Sequence, residues 1–156
     1  MMKVLITGDH AGMTIRNEVA KLLDELNIEY EDAGCSCEHS VDYPDYALPA
    51  AERVASGEFD RGIFICGTGI GMSISANKVK GIRCALLSDI YSAKLTRQHN
   101  DSNVLAMGER VIGPGLARDI AKTWLETEFD GGRHANRIEK VTAYEANRPK
   151  QEAGEL

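Results

Sequence analysis

Gly62-Ile63-Phe64-Ile65-Cys66-Gly67-Thr68-Gly69-Ile70-Gly71-Met72-Ser73-Ile74 is the stretch on which the reading of this chain turns. Ile63 to Cys66 is uninterrupted apolar sequence, the pattern of a strand buried on both faces of a parallel sheet. Glycine then occupies every second position, Gly67, Gly69 and Gly71, ahead of a helix-like segment from Met72 to Lys78. A strand that breaks into a glycine-rich turn and then a helix leaves backbone N–H groups around a small cavity, where they attract anionic oxygen. The strand's last residue is a thiol, Cys66. Open α/β sheets bind their ligands beyond the carboxyl ends of the strands, and a thiol close to a helix N-terminus loses its proton more readily than a free one. The stretch reads as a base beside an anion cradle. It is not a Walker loop, since no Gly-Lys-Ser/Thr follows, and Met72 stands where a dinucleotide fingerprint needs its third glycine.

On either side of this stretch the apolar pattern alternates between strand and helix. Lys3 to Thr7 is a short apolar strand running into Gly8-Asp9-His10-Ala11-Gly12, and Ile15, Val19, Leu22, Leu23 and Leu26 follow at helical spacing. A second strand is expected at Ile28 to Glu31. After a polar loop from Asp32 to Tyr43, a helix runs from Tyr46 to Ala55, with Gly57 as its stop. The organising strand is third. A fourth strand (Ile82–Leu87), a helix (Ile90–Gln98) and a fifth strand (Asn103–Met107) come next. Gly113-Pro114 opens a helix to about Thr127, since proline is tolerated in a first turn. A last helix spans roughly His134 to Asn147. The expected fold is α/β: a doubly wound, Rossmann-like, five-stranded parallel sheet with a C-terminal helix, as one domain over residues 1–148 and a polar tail over 149–156.

At 156 residues, 43% hydrophobic and 27% charged, the composition is that of an ordinary globular domain. The net charge of −6 argues against a general nucleic-acid-binding surface. No run is long enough to span a membrane and no signal-peptide pattern opens the chain, so the expected setting is cytoplasmic and the four cysteines are expected as reduced thiols. Cys35-Ser36-Cys37-Glu38-His39 resembles a metal half-site, but no second ligand pair is evident and no metal is expected. Cys84, within an apolar strand, reads as core.

The topology sorts the remaining candidates. Asp9 and His10 follow strand one, Cys66 to Gly71 follow strand three and Arg110 follows strand five, so all lie at the crevice edge. Asp9 suits either a helix cap or a sugar hydroxyl, and His10 with the first helix's N–H groups could hold an anionic end of a substrate. His99 and Asn100 end a return helix and belong at the opposite edge, as do Arg133 and Arg137, which come after another. The two arginines, four apart, share a helical face as a phosphate clamp or a solvated surface. His99 is a candidate proton shuttle or a plain loop residue. If both groups serve one site, a second subunit completes it. A homodimer with shared sites, or a tetramer built from it, is the expectation.

Gly8-Asp9-His10-Ala11-Gly12, Asp42-Tyr43-Pro44, Ile65-Cys66-Gly67-Thr68-Gly69-Ile70-Gly71, Ala76-Asn77-Lys78, Arg97-Gln98-His99-Asn100-Asp101 and Gly131-Gly132-Arg133-His134 together resemble ribose-5-phosphate isomerase type B, a family shared with the galactose-6-phosphate isomerase subunits. The resemblance implies a cofactor-free interconversion of ribose 5-phosphate and ribulose 5-phosphate in the pentose phosphate pathway. It makes Cys66 the base that moves a proton between the first two sugar carbons, and His99, with Asp9 nearby, the group that opens the ring. Thr68 with Gly67, Gly69, Ile70 and Gly71 becomes the enediolate cradle. His10, Asn100, Arg110, Arg133 and Arg137 become phosphate or sugar contacts. Another sugar phosphate (allose 6-phosphate, galactose 6-phosphate or a tetrulose phosphate) is an alternative substrate, and a non-catalytic sugar-phosphate-binding module is the alternative of another class.

Overall fold

The structure, a computed structural model, describes residues 1–149. Its elements run β1 (Lys3–Gly8), α1 (Met13–Glu25), β2 (Glu29–Asp32), α2 (Pro44–Ala55), β3 (Arg61–Cys66), α3 (Ile70–Ala76), β4 (Cys84–Leu86), α4 (Ile90–Asn100), β5 (Val104–Gly108), α5 (Pro114–Glu126) and α6 (Arg133–Ala146). Every strand pair is parallel, in the order β2-β1-β3-β5-β4. The winding reverses between β1 and β3, and the carboxyl ends of these two strands flank the crevice where such sheets take their ligands. The expected doubly wound sheet is what forms. The tail beyond Pro149 lies outside the described residues.

The apolar runs of β1, β3 and β5 are fully covered because helices pack on both faces. Ile15, Val19, Leu22 and Leu23 of α1, Ala93 of α4, and Ala117, Ile120, Ala121, Trp124 and Leu125 of α5 close one face over Ile6, Ile63, Ile65 and Met107. Ala47, Ala50, Ala51 and Val54 of α2 with Met72 and Ala76 of α3 close the other over Leu5, Phe64 and Ala106.

Two elements differ from the sequence pattern. β4 is only three residues long, an edge strand whose flanks are held by side chains instead of a ladder: Asn77 Nδ2 donates to the Cys84 carbonyl at 3.0 Å, and the Cys84 amide donates to Asn77 Oδ1 at 2.8 Å. α3 begins at Ile70, earlier than expected, because Gly69 takes the left-handed conformation (φ 77°) and so turns the chain directly into the helix. α6 packs beside α4 with His134 as its one buried residue, and leaves Val141 and Tyr144 exposed.

Candidate active site

β3 ends on Cys66, which is 5% exposed and packs with the apolar residues of α2 and α3. Its sulfur meets one polar group among these apolar neighbours. The Gly69 amide donates to Cys66 Sγ at 3.1 Å, so the turn aims a backbone dipole at the thiol. This tight turn needs its glycines. A Cβ on Gly69 would lie 2.8 Å from the Met107 carbonyl carbon, and one on Gly108 would lie 2.4 Å from that of Thr68. The sequence reading assigned the whole loop to the cradle. In the structure the Gly69 amide is committed to sulfur and the Ile70 amide donates to Thr68 Oγ1 at 3.2 Å. Among the described residues the open donors of this turn are the Gly67 and Thr68 amides of the loop and the Gly71 and Met72 amides of the first turn of α3. Tyr43, to which the sequence reading gave no role, lays its ring against Gly71, 2.8 Å from where a Cβ would stand.

Across the crevice, β1 delivers Asp9 and His10. Asp9 is buried, its amide donates to the Ile65 carbonyl at 3.2 Å, and one carboxylate oxygen accepts the Ala11 amide at 2.9 Å. It is an Asx turn, not the helix cap, since Gly12 holds the N-cap position of α1. His10 Nδ1 accepts the Val41 amide at 3.1 Å. In the neutral ring that bond places the proton on Nε2, leaving an N–H donor for the crevice. Among the described residues the first helix keeps only the Met13 and Thr14 amides of its N-terminus without a partner. Glu109 Oε1 accepts the Ile15 amide at 2.7 Å and the Gly12 carbonyl accepts the Arg16 amide at 3.0 Å, so an internal carboxylate takes up part of the anion position. Arg110 follows on the same turn. Its amide donates to the Gly67 carbonyl at 2.9 Å, and its guanidinium approaches within 3.3 Å of where a Cβ on Gly67 would be.

The second group gathers at the opposite edge. α4 returns antiparallel to the strands, so His99 and Asn100 emerge where β4 and β5 begin, with Arg83 donating to the Asn100 carbonyl at 2.9 Å. A cavity of about 280 Å³ there is lined by Arg83, His99, Asn100, His134, Arg137 and Ile138, among others. The rings of His99 and His134 stack in it. Burial first, then the neighbouring His99, Arg133 and Arg137, push the His134 imidazole below its ordinary value, while Asp130 acts the other way. Among the described residues Arg110, Arg133 and Arg137 form no ion pair, whereas Arg16, Arg53, Arg83, Arg97 and Arg118 each do. Arg61 and Arg148 form none either, but Arg61 is spent on the Trp124 and Leu125 carbonyls, at 2.9 Å each. His134 was missed as a site residue because an isolated histidine on an otherwise polar helix carries no periodic signal.

Ligand atoms of His99, Asp130 and His134 lie within 4.8 Å of one another. Face-to-face imidazoles point their in-plane lone pairs in parallel, not at a common centre, so this cluster does not have the convergence of a tetrahedral site. The four cysteines are not all thiols. Cys35 and Cys37 are joined as a disulfide, while Cys66 and Cys84 are free. Spacing alone did not suggest the bond, since the compartment argument favoured reduced cysteines. Cys84, read as core, is partly buried and packs against the core on the edge strand, and burial pushes its thiol up to about 12.

With this geometry in view, the comparison with known proteins is specific. The sequence model of the Ribose/Galactose Isomerase family matches residues 4–141. The chain belongs to the ribose/galactose isomerase family. Members are sugar phosphate isomerases, and the match spans both groups of residues described above. The chain is 72% identical over 145 residues to the Bacillus subtilis protein YwlF, whose name assigns it to the sugar phosphate isomerases without a substrate, covering 92% of this chain and 97% of that one. It is 48% identical over 148 residues to ribose-5-phosphate isomerase B of Escherichia coli, covering 95% and 99%. It is also 41% identical over 150 residues to the D-erythrulose-4-phosphate isomerase of Pectobacterium atrosepticum, covering 93% and 96%. The solved ribose-5-phosphate isomerase B of Clostridium thermocellum superposes with a TM-score of 0.90 at 52% identity, covering 93% of this chain and 98% of that one. No helix among the described residues is long and apolar enough to cross a membrane.

Proposed function

We propose that this isomerase interconverts D-ribose 5-phosphate and D-ribulose 5-phosphate through an enediolate. The reading is carried by the Gly69 amide directed at Cys66 Sγ, at the edge that also bears Asp9, His10 and Arg110. A thiolate at Cys66 takes the proton from C2 of the open aldose. The C2–H electron pair becomes the C1=C2 bond and the carbonyl pair moves onto O1. The Gly71 and Met72 amides with the Thr68 hydroxyl are the donors that meet that charge, already oriented before it forms. Return of the proton from Cys66 to C1, with the O2 proton passing to O1, yields the ketose. Packing against α2 and α3 keeps water from one side of the sulfur.

Ring opening precedes this step, and it requires a proton to leave the anomeric hydroxyl and one to reach the ring oxygen. His99 fits that task in concert with Asp9. Within one protomer these two residues stand at opposite edges of the sheet. The scheme is therefore a homodimer, in which His99, Asn100, Arg133 and Arg137 of one subunit close over Cys66, Asp9, His10 and Arg110 of the other. The apolar residues left bare on α3 and α6, Ile70, Ile74, Val141 and Tyr144, support such a pairing. The phosphate does not react. Gripping it with unpaired guanidiniums fixes the reacting carbons against the sulfur.

A second reading, a four-carbon substrate, is favoured by the D-erythrulose-4-phosphate isomerase among the relatives. The deciding experiment measures product formation and solvent exchange of the proton on C2 of aldose phosphates, or on C1 of ketose phosphates, of four to six carbons. Ribose 5-phosphate should give the highest kcat/KM. Efficient turnover of a four-carbon ketose phosphate with none of ribose 5-phosphate would replace the substrate, and no exchange with any of them would leave a binding module.

A further inference from the structure

Arg83 stands at the entrance to β4 and lines the cavity beside His99, yet the proposed reaction gives it no part. Its bonds converge on the turn that follows His99. Nε donates to the Asn100 carbonyl at 2.9 Å, and Nη2 donates to the Asp101 carbonyl at 2.9 Å and to Asp101 Oδ2 at 3.4 Å. The Arg83 amide donates to Asn103 Oδ1 at 2.8 Å, and its carbonyl accepts the Asn103 and Val104 amides at 3.1 and 3.3 Å. One residue thus brackets the chain from Asn100 to Val104. A helix end leaves its last carbonyls without intrahelical donors, and here a guanidinium fork serves that end. The turn depends on such a grip, because Asp101 closes α4 in the left-handed conformation (φ 45°), which a residue with a Cβ adopts at a cost. Arg97 Nη1 holds the other Asp101 carboxylate oxygen at 2.8 Å, so the acid is pinned from two sides. Within the same last turn of α4, the Gln98 carbonyl accepts the Asp130 amide at 3.1 Å and the His99 ring stacks on His134.

We propose that Arg83 is a positioning residue for ring opening: its fork fixes the end of α4, and with it the imidazole of His99 and the carboxamide of Asn100. Gripping the substrate's phosphate suits it less. Nε and Nη2 are both committed to the chain, and Asp101 offsets its charge, whereas Arg133 and Arg137 have no acid partner among the described residues. Lysine is no substitute, because one ammonium cannot span two carbonyls and a carboxylate in the geometry of a planar fork. Without the fork, Asp101 is free to leave its left-handed conformation and the His99 ring to slide on His134. Misplacing a reacting group by about 1 Å costs up to about a hundredfold in rate. Cys66 and its glycine loop stand at the opposite edge of the same protomer's sheet and share no hydrogen bond with Arg83, so transfer of the carbon-bound proton is spared. The consequence for turnover rests on His99 being the ring-opening group of the proposed reaction, while the placement of its ring does not.

The test uses the full chain and compares Arg83→Gln and Arg83→Lys with His99→Asn. On ribose 5-phosphate both Arg83 variants should lose about tenfold in kcat with KM within about twofold of wild type. On erythrose 4-phosphate, whose ring-closing oxygen carries the phosphate, the loss should stay under about twofold, and that retained rate shows a folded enzyme. Carbon–proton NMR of ring-labelled histidine reads the placement directly, with the His99 signal assigned by its loss in His99→Asn. In both Arg83 variants this signal should move as the stack on His134 loosens, while those of His10 and His39 stay in place. An unmoved His99 signal overturns the proposal, and so do wild-type rates in Arg83→Lys. A raised KM with kcat held would make Arg83 a phosphate contact and overturn it too. Where His99→Asn distinguishes the two phosphates, equal losses in the Arg83 variants have the same effect. If Arg83→Gln does not fold, Arg83→Lys decides on the same readouts. Equal losses in His99→Asn itself count against ring opening by His99, while the ring signal still decides whether Arg83 places it.

Discussion

His99 and His134 stack with ring centroids 4.2 Å apart and planes 12° from parallel. The groups facing the pair are Arg133 and Arg137 from α6 and Asp130 from the preceding turn. Because two imidazolium rings this close repel, protonation of one opposes protonation of the other. The folded protein holds His134 below its ordinary 6.5, so the folded state binds fewer protons than the unfolded chain once pH falls to that range. The stabilisation is full above 6.5 and is lost as pH drops through the folded value. Scanning calorimetry from pH 7.5 to 5 should show the melting temperature of the wild type falling more steeply than that of His134→Gln. Parallel curves would remove this assignment.

Cys66→Ala should lower kcat by at least about a hundredfold, the low end of the contribution of a positioned acid or base, with an unchanged circular dichroism spectrum. Wild-type turnover in this variant would exclude the thiol as base.

His99→Asn separates ring opening from proton transfer. A four-carbon aldose 4-phosphate cannot close a furanose, because the oxygen that would close it carries the phosphate. The variant should lose about a hundredfold in kcat on ribose 5-phosphate and under tenfold on erythrose 4-phosphate. Equal losses on both would reject the ring-opening role.

Mixing two inactive variants tests the shared site directly. Cys66→Ala and His99→Asn, unfolded together and refolded in equal amounts, should recover about a quarter of the wild-type activity, because random pairing restores one intact site in half of the dimers. Each variant refolded alone should stay inactive. No recovery in refolded dimers would place both residues in one subunit's site.

With its thiol pushed up to about 12, Cys84 carries only ~10⁻⁴ thiolate at pH 8. Iodoacetamide applied to the native protein at that pH should leave Cys84 unlabelled in a peptide map. Rapid labelling there would show that β4 opens readily.

The sheet was readable because its signal is redundant. β1, β3 and β5 are each apolar on both faces, and the helices between them keep a clean period, so no alternative register buries as much. Cys66 and the crevice residues were readable for a related reason: a topological rule assigns them to strand ends. What escaped depends on pairings distant in sequence. Nothing near Glu109 announces that its carboxylate would hold the Ile15 amide at the amino end of α1, 94 residues away. Tyr43 against Gly71 is a contact of the same kind. The Cys35–Cys37 bond escaped for the opposite reason, because a general expectation about compartment outweighed two adjacent thiols.

The placement of the two half-sites at opposite ends of the strands gives the proposed scheme a dependence on abundance. A solitary copy would carry a base with nothing to open the ring, and a phosphate grip with no sulfur near it. Specific activity should therefore collapse on dilution below the subunit dissociation constant, even though every polypeptide remains folded. Anything that prises the copies apart would act as an inhibitor without touching a single catalytic atom.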